Sequence, residues 1–238
     1  MRIVYSSRNE VSAFYGREFG AEALDFPLLH LPPNMAEPSV VLSPHKSASG
    51  LPCITVHYPG NWTEAQYGGE PYTLSHPLPE FAVAFLRAVE PPKGYLLSYE
   101  ADHHGPSSTS PIAFVEVGSG PAQWYDPKAY NALFEAVRAA KPKTVELALG
   151  VSRSHYPEPF TQISLKLDIG FSHILPMYQI KAMDDALLRR QIAHALNRSP
   201  RRPKMLIYDR YLNKSVIRRL RTIAEAFGLE FISAGDLL

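Results

Sequence analysis

Apolar residues fall along this chain in two alternating patterns. Short runs rich in Val, Ile, Leu and Tyr are separated by longer segments in which apolar positions recur every three to four residues. Met1 to Tyr5, Val40 to Leu42, Cys53 to Tyr58, Tyr95 to Tyr99, Ile112 to Val117 and Thr144 to Leu149 read as strands. So do Ile163 to Leu167, Lys204 to Asp209 and Glu230 to Ile232, with Leu28-Leu29-His30-Leu31 a shorter one before Pro32-Pro33. Val11, Phe14 and Tyr15 share one face of a helix capped by Asn9 and ended by Gly20. Leu78 to Val89 turns Phe81, Phe85 and Leu86 inward, and Asp126-Pro127 opens a helix that buries Leu133, Phe134 and Val137. Met183 to Leu196 and a helix capped by Ser215 and closed by Gly228 complete the set, and Gly150 to Phe160 reads as a long loop. Strands and helices in alternation predict an α/β protein, a three-layer sandwich on a mixed, mainly parallel sheet, with residues 1–238 as one domain.

Composition narrows this only slightly. Hydrophobic residues make 45% and charged residues 20% of the 238, ordinary values for a water-soluble domain. The longest apolar runs are strand-sized, which excludes a membrane helix, and no secretory leader is evident at the start. Cys53 is the only cysteine, so no internal disulfide forms; a buried, reduced thiol in the cytoplasm is expected. Twenty-two prolines stiffen the loops and hint at a heat-adapted source. The net charge of +1 conceals an asymmetry, with twelve Lys and Arg and only three Asp between residues 181 and 222. That segment is a plausible polyanion footprint, although a solvated helix face has the same composition.

Candidate chemistry concentrates in Tyr99-Glu100-Ala101-Asp102-His103-His104-Gly105-Pro106. A buried strand there delivers two carboxylates and two imidazoles into a Gly-Pro turn. Adjacent strand residues face opposite ways, so His103 and His104 converge only if the chain leaves strand geometry. Open α/β sheets often place their chemistry at strand ends. His45 follows a strand and enters a loop with Ser47, Ser49 and Gly50, and His57 ends another strand before Gly60, Trp62, Tyr67 and Gly68. His155 and Tyr156 lie in the long loop after Leu149, while His30 sits in apolar company that suits a core histidine. Glu116 lies between apolar neighbours, facing either a ligand or the outside of an edge strand. The residues alone leave open whether the imidazoles act as general bases, bind a metal or simply hydrogen-bond in loops. No Gly-x-Ser-x-Gly elbow is present and Cys53 has no histidine beside it in sequence, so attack by water is the simpler hydrolytic route.

The block Glu-Ala-Asp-His-His-Gly-Pro followed by Phe114-Val115-Glu116-Val117-Gly118-Ser119 resembles the archaeal and plant type of D-aminoacyl-tRNA deacylase. Further blocks agree in order: His45 to Gly50, Ile54 to Trp62, Tyr67 to Glu70, His155-Tyr156-Pro157 with Phe160-Thr161, and Gly170 to Pro176. One departure is Ser152-Arg153-Ser154, where the family usually carries a glycine run. The resemblance implies a phosphorylase/hydrolase-like fold similar to peptidyl-tRNA hydrolase, and hydrolysis of the ester joining a D-amino acid to tRNA, a proofreading activity. It implies zinc as cofactor, tRNA as partner, a cytoplasmic location and a monomer. His103, His104, Glu100 and Thr109 are then expected to be catalytic, with His103, His104 and Asp102 as metal ligands. His45, Ser49, His57, Trp62, Gly118, Ser119, His155 and Tyr156 are expected to meet the substrate. Arg201, Arg202, Lys204, Lys214 and Arg218 are expected to meet the RNA. A zinc-dependent exopeptidase-like amidohydrolase and a non-catalytic RNA-binding module remain the alternatives.

Overall fold

The computed structural model describes residues 1–30 and 37–238. Among the described residues, ten strands form two sheets. The first is mixed, in the order β2-β1-β3-β6-β4-β5, from β1 (Arg2–Ser6), β2 (Glu22–Leu24), β3 (Ser39–Pro44), β4 (Cys53–His57), β5 (Leu96–Tyr99) and β6 (Ile112–Gly118). Only the β4–β6 pair is antiparallel. The second sheet is all parallel, in the order β10-β9-β7-β8, from β7 (Glu146–Ser152), β8 (Ile169–Pro176), β9 (Met205–Tyr208) and β10 (Glu230–Ser233). The sheets meet where the chain leaves β5. There the Asp102 N–H donates to the Ile174 carbonyl of β8 at 3.0 Å, and the Ala101 N–H to the carbonyl of His155 at 2.9 Å.

Period-two alternation decides which side of each strand is buried in which layer. On one face Val40, Leu42, Ile54, Val56, Tyr99, Val115 and Val117 join the main core. That core is closed by α1 (Glu10–Phe19), α2 (Pro79–Ala88), α4 (Pro127–Ala139) and α5 (Glu158–Lys166). A four-residue helix, α3 (Pro121–Trp124), follows β6. Beyond β8 come α6 (Met177–Ile180), α7 (Asp185–Arg198) and α8 (Lys214–Phe227). The last two pack on the opposite face of the second sheet, against Leu149, Val151, Leu175 and Leu206. Helices lie on one face of the first sheet and on both faces of the second, which gives the three layers expected from the alternation of elements.

The caps of α1 are as expected. The Asn9 side chain accepts from the Ser12 N–H at 2.9 Å, and Gly20 ends the helix at φ 80°, a left-handed conformation that favours glycine. Other expectations need correction. Leu28, Leu29 and His30 form a turn, not a strand; the edge strand is Glu22–Leu24, and His30 is exposed. Leu31, Pro32 and Pro33 lie outside the described residues. Ile163 to Lys166 is helical within α5 and Leu167 caps it, because Phe160, Ile163 and Ser164 bury one face at helical spacing that also reads as alternation over five residues. Asn213, not Ser215, caps α8, accepting from the Val216 N–H at 2.8 Å. Trp62 does not stand in a surface loop but is buried in the second core beside Leu74.

Candidate active site

The same alternation that fills the main core builds the site on the sheet's other face. On β4 Ile54 and Val56 point into the core, so Thr55 and His57 point away from it. On β6 Val115 and Val117 point in, leaving Phe114 and Glu116 opposite, and the register sets Thr55 against Glu116 and His57 against Phe114. Tyr99 closes β5 in the core, and Glu100 follows on the far face, its N–H bonded to the Val56 carbonyl at 3.0 Å. Strand β3 pairs Ser43 with Glu116 and carries the chain to His45. The centre thus lies on a sheet face near the ends of β4 and β5, rather than along one carboxyl edge.

Glu100 is the hub. Its buried carboxylate lies 3.0 Å from His45 Nδ1, 3.0 Å from His155 Nε2, 3.7 Å from His103 Nε2 and 3.9 Å from His57 Nδ1. His45 Nδ1 also lies 3.2 Å from Glu116, and its Nε2 is 2.7 Å from the Tyr156 hydroxyl. Burial opposes charge on His45, but Glu100 and Glu116 outweigh it and push the imidazole up to about 12. Burial likewise opposes charge on Glu100, yet bonds from His155 and His45 hold it well below the usual carboxylate range. His45 is therefore an imidazolium held by carboxylates. Its Nε2–H donates to Tyr156, which frees the Tyr156 hydroxyl proton for another acceptor.

His57 and His103 behave oppositely. Burial lowers His57 to about 4, and burial together with neighbouring imidazoles takes His103 well below its ordinary value. His103 Nδ1 donates to the Ala101 carbonyl at 2.9 Å and His104 Nδ1 to the Gly105 carbonyl, so each presents its Nε2 lone pair. Their ring centroids are 4.3 Å apart, and those of His103 and His104 lie 5.0 Å and 4.9 Å from that of His57. One donor atom from each of His57, His103 and His104 falls within 4.8 Å of the others. Neither ring nitrogen of buried His57 has a hydrogen-bond partner among the described residues. Converging imidazoles with an uncommitted buried member are a donor set that fits a borderline-soft divalent cation. The donor atoms of His45, Glu100 and His155 also lie within 4.8 Å of one another, but the charged His45 has no lone pair to offer a cation.

Part of this centre borders a cavity of about 930 Å³, whose lining does not include His57, Glu100, His155 or Tyr156. His45, His103, His104 and Glu116 line one wall, and Leu28 and Leu29 contribute to an apolar one. Gly118 lies against His45, where any Cβ would meet the His45 Cβ and Cδ2 at 2.7 Å. Trp124 Nε1 holds the His45 carbonyl at 2.7 Å. Other expected site residues fall elsewhere. Asp102 turns away, its carboxylate accepting from His173 Nδ1 at 2.7 Å and from the Ile174 N–H, so His57 takes the place expected of it among the imidazoles. Ser119 is buried and donates to the Leu51 carbonyl at 2.6 Å, supporting the His45 loop. Ser49 and Thr109 are exposed and do not line the cavity, and Trp62 is core. Glu116 and His57 were the legible omissions from the catalytic set, since alternation along Ile54-Thr55-Val56-His57 and Val115-Glu116-Val117 already placed them on one face. His173 gave no comparable signal.

Of the basic residues, Arg201 pairs with Glu80 at 2.8 Å, Lys204 with Glu146 at 2.9 Å, and Arg202 bonds the Phe227 carbonyl at 2.7 Å. All three precede β9, at the amino end of the parallel strands. His155 follows β7 at the other end, where α8 also begins. Lys214 and Arg218 on α8 make no ion pair among the described residues.

A three-layer α/β fold that buries two carboxylates among imidazoles beside an open cavity defines a histidine–carboxylate centre of the kind used in hydrolysis. The chain belongs to the D-aminoacyl-tRNA deacylase family, whose model matches residues 33–232. It is similar to the D-aminoacyl-tRNA deacylase of Ignicoccus hospitalis, 35% identical across 91% of this chain and 90% of that protein. That of Pyrococcus furiosus is 34% identical across 82% of this chain and 74% of that one. A longer relative from Methanoculleus marisnigri is 41% identical over 62% of this chain, which spans 35% of its length. The fold is shared with the crystal structure of a conserved protein of unknown function, AF0625, at a TM-score of 0.86 and 23% identity, covering 100% of this chain and 96% of that one.

Proposed function

We propose that this protein hydrolyses the ester between a D-amino acid and the 3′ end of tRNA, releasing both. The observation that carries the reading is the meeting of distant family blocks at one point. His45, His57, Glu100, His103, Glu116 and His155 come from five separate segments, and each lies at or beside the Glu100 carboxylate or the cavity wall. Family membership favours neither an exopeptidase nor a silent RNA-binding module.

The side chains supply the parts of ester hydrolysis by water. The Nε2 atoms of His103 and His104, with their Nδ1–H groups committed to carbonyls, accept the proton of the attacking water. The Tyr156 hydroxyl, released by the His45 imidazolium, donates to the oxygen that becomes negative in the tetrahedral intermediate. Glu100 keeps His45 charged and His155 oriented. Alternatively, the same two Nε2 atoms with His57 would hold zinc instead of acting as bases; zinc when bound lowers the pKa of its water and polarises the ester carbonyl. The polyanion is assigned to residues 181–222, foremost Lys214 and Arg218, with Arg201, Arg202 and Lys204 as outlying cations already paired within the chain. No helix among the described residues is long and apolar enough to cross a membrane.

The test is a paired assay on D-tyrosyl-tRNA and L-tyrosyl-tRNA. Release of tyrosine from the D-form with little from the L-form is expected. Equal rates on both would remove the chiral assignment, and tRNA binding without turnover would leave an RNA-binding module.

A further inference from the structure

The segment 100–105 carries Glu100, His103 and His104, yet it belongs to no strand. Backbone bonds tether it on several sides: Glu100 to Val56, Ala101 to His155, Asp102 to Ile174, His104 to Gly60 and Gly105 to Tyr67. Within it, Asp102 sends its side chain away from the cavity. Its buried carboxylate accepts from the Ile174 N–H at 3.3 Å and from His173 Nδ1 at 2.7 Å, both on β8 of the other sheet. Together with the Asp102 N–H to Ile174 bond, this makes three bonds across the seam at one residue, immediately before His103.

His173 reaches that position through an irregularity in β8. The pairing of β7 with β8 matches Ala148 to Phe171 but Leu149 to His173, which leaves Ser172 as an extra residue. Such a bulge re-aims the side chains beyond it. Its effect shows in the layers: Phe171 and Ile174 both pack in the main core although three residues apart, while Leu175 packs in the second. In an unbroken strand His173 would share the face of Phe171. The bulge turns it to the side of Trp62, with ring centroids 6.2 Å apart, and within reach of Asp102. Ser172 is itself held, donating to the Ala148 carbonyl at 3.3 Å and accepting from Ser199 at 2.8 Å.

We propose that the Asp102–His173 pair is a positioning element: a clip between the two sheets that fixes where the backbone presents His103 and His104 to the cavity. Neither residue touches the cavity, so the pair acts through the imidazoles and not on substrate. The kinetic side of this inference rests on the deacylase reading; the positional side does not. Errors of about 1 Å in placing a reacting group can cost on the order of 100-fold in rate, so a clip at the adjacent residue is where such an error would begin.

Two substitutions separate this role from simple core packing. His173→Asn keeps an amide N–H close to the position of Nδ1, whereas His173→Gln carries its amide one carbon further out. Imidazole ¹H–¹³C resonances of His103 and His104 should shift in His173→Gln and stay near their wild-type positions in His173→Asn. In D-tyrosyl-tRNA turnover, His173→Gln should lose about 10–100-fold in kcat with KM unchanged, and His173→Asn should recover most of it. If the glutamine variant does not fold, Asp102→Ala against Asp102→Asn reads the same contrast. A folded His173→Gln whose His103 and His104 resonances are unmoved overturns the proposal whatever its activity. Shifted resonances in a protein whose wild type hydrolyses no D-tyrosyl-tRNA would keep the clip and remove the deacylase reading.

Discussion

Around Glu100 the protein buries its charges; across residues 181–222 it displays them. Glu100 has no side-chain exposure and lies among four imidazoles within 3.9 Å. Lys204 and Glu146 form a pair of similar length with side chains 69% and 57% exposed. The two geometries look alike by distance and differ in consequence. Removing one partner of a buried pair strands the other in a medium that solvates it poorly, whereas water takes up the role at the surface. A buried centre is thus built from groups that depend on one another, and a basic surface from groups that act almost independently.

The largest expected effect is at the hub. Glu100→Gln leaves the His45 imidazolium with only Glu116 and should cost on the order of 3–5 kcal/mol in urea unfolding, while Lys204→Ala should cost less than about 1 kcal/mol. Equal midpoints for the two variants would erase the distinction between the regions. His103→Ala and His104→Ala should each lower kcat by about 10²–10⁴-fold without a matching rise in KM. Variants that stay folded and turn over normally would move the chemistry toward His45 and His155.

The next effect sharpens the comparison through pH. Native His57 stays neutral down to about 4, while the unfolded chain takes up that proton at the ordinary 6.5. Between those values the unfolded state binds more protons, so the stability of metal-free protein should fall as pH drops from 6.5 to 4. The loss from His57 alone is about 3 kcal/mol, and none of it should appear above about pH 7. His57→Phe should flatten that part of a stability–pH curve measured by urea unfolding. The smallest effect belongs to the surface. Lys214→Glu and Arg218→Glu should each weaken tRNA binding. Each should also flatten the dependence of log affinity on log salt, by roughly 0.7–0.9 for every phosphate no longer neutralised. Reversals at Arg201, Arg202 and Lys204 should do less, because those cations are already committed to Glu80, Phe227 and Glu146.

Much of this was legible in the chain itself. Asn9 and Gly20 bracket α1, Asp126-Pro127 opens α4, and the strand runs of the first sheet stand where Val, Ile and Leu cluster. Those signals are local, set by caps and periodicity. Ile163 to Leu167 misled because five residues fit both a strand and a helix, and its helical face depends on Phe160, outside that window. In the site, the histidines of the ordered blocks do converge, but their partners were harder to see. The turn of Asp102 toward His173 depends on a bulge at Ser172, which nothing in Gly170 to Pro176 announces. The division between charged His45 and neutral His57 depends on which carboxylates the fold brings near, a property of pairing across strands rather than of neighbours in sequence.

The claim that hydrolysis belongs to the buried centre and RNA binding to the exposed one is tested most directly by one kinetic comparison. kcat and KM for D-tyrosyl-tRNA should be measured side by side in His104→Ala and in the Lys214→Glu, Arg218→Glu double variant. The account predicts a fall in kcat with KM preserved in the first, and a rise in KM with kcat preserved in the second. A rise in KM alone for His104→Ala, or a fall in kcat alone for the double variant, would contradict it.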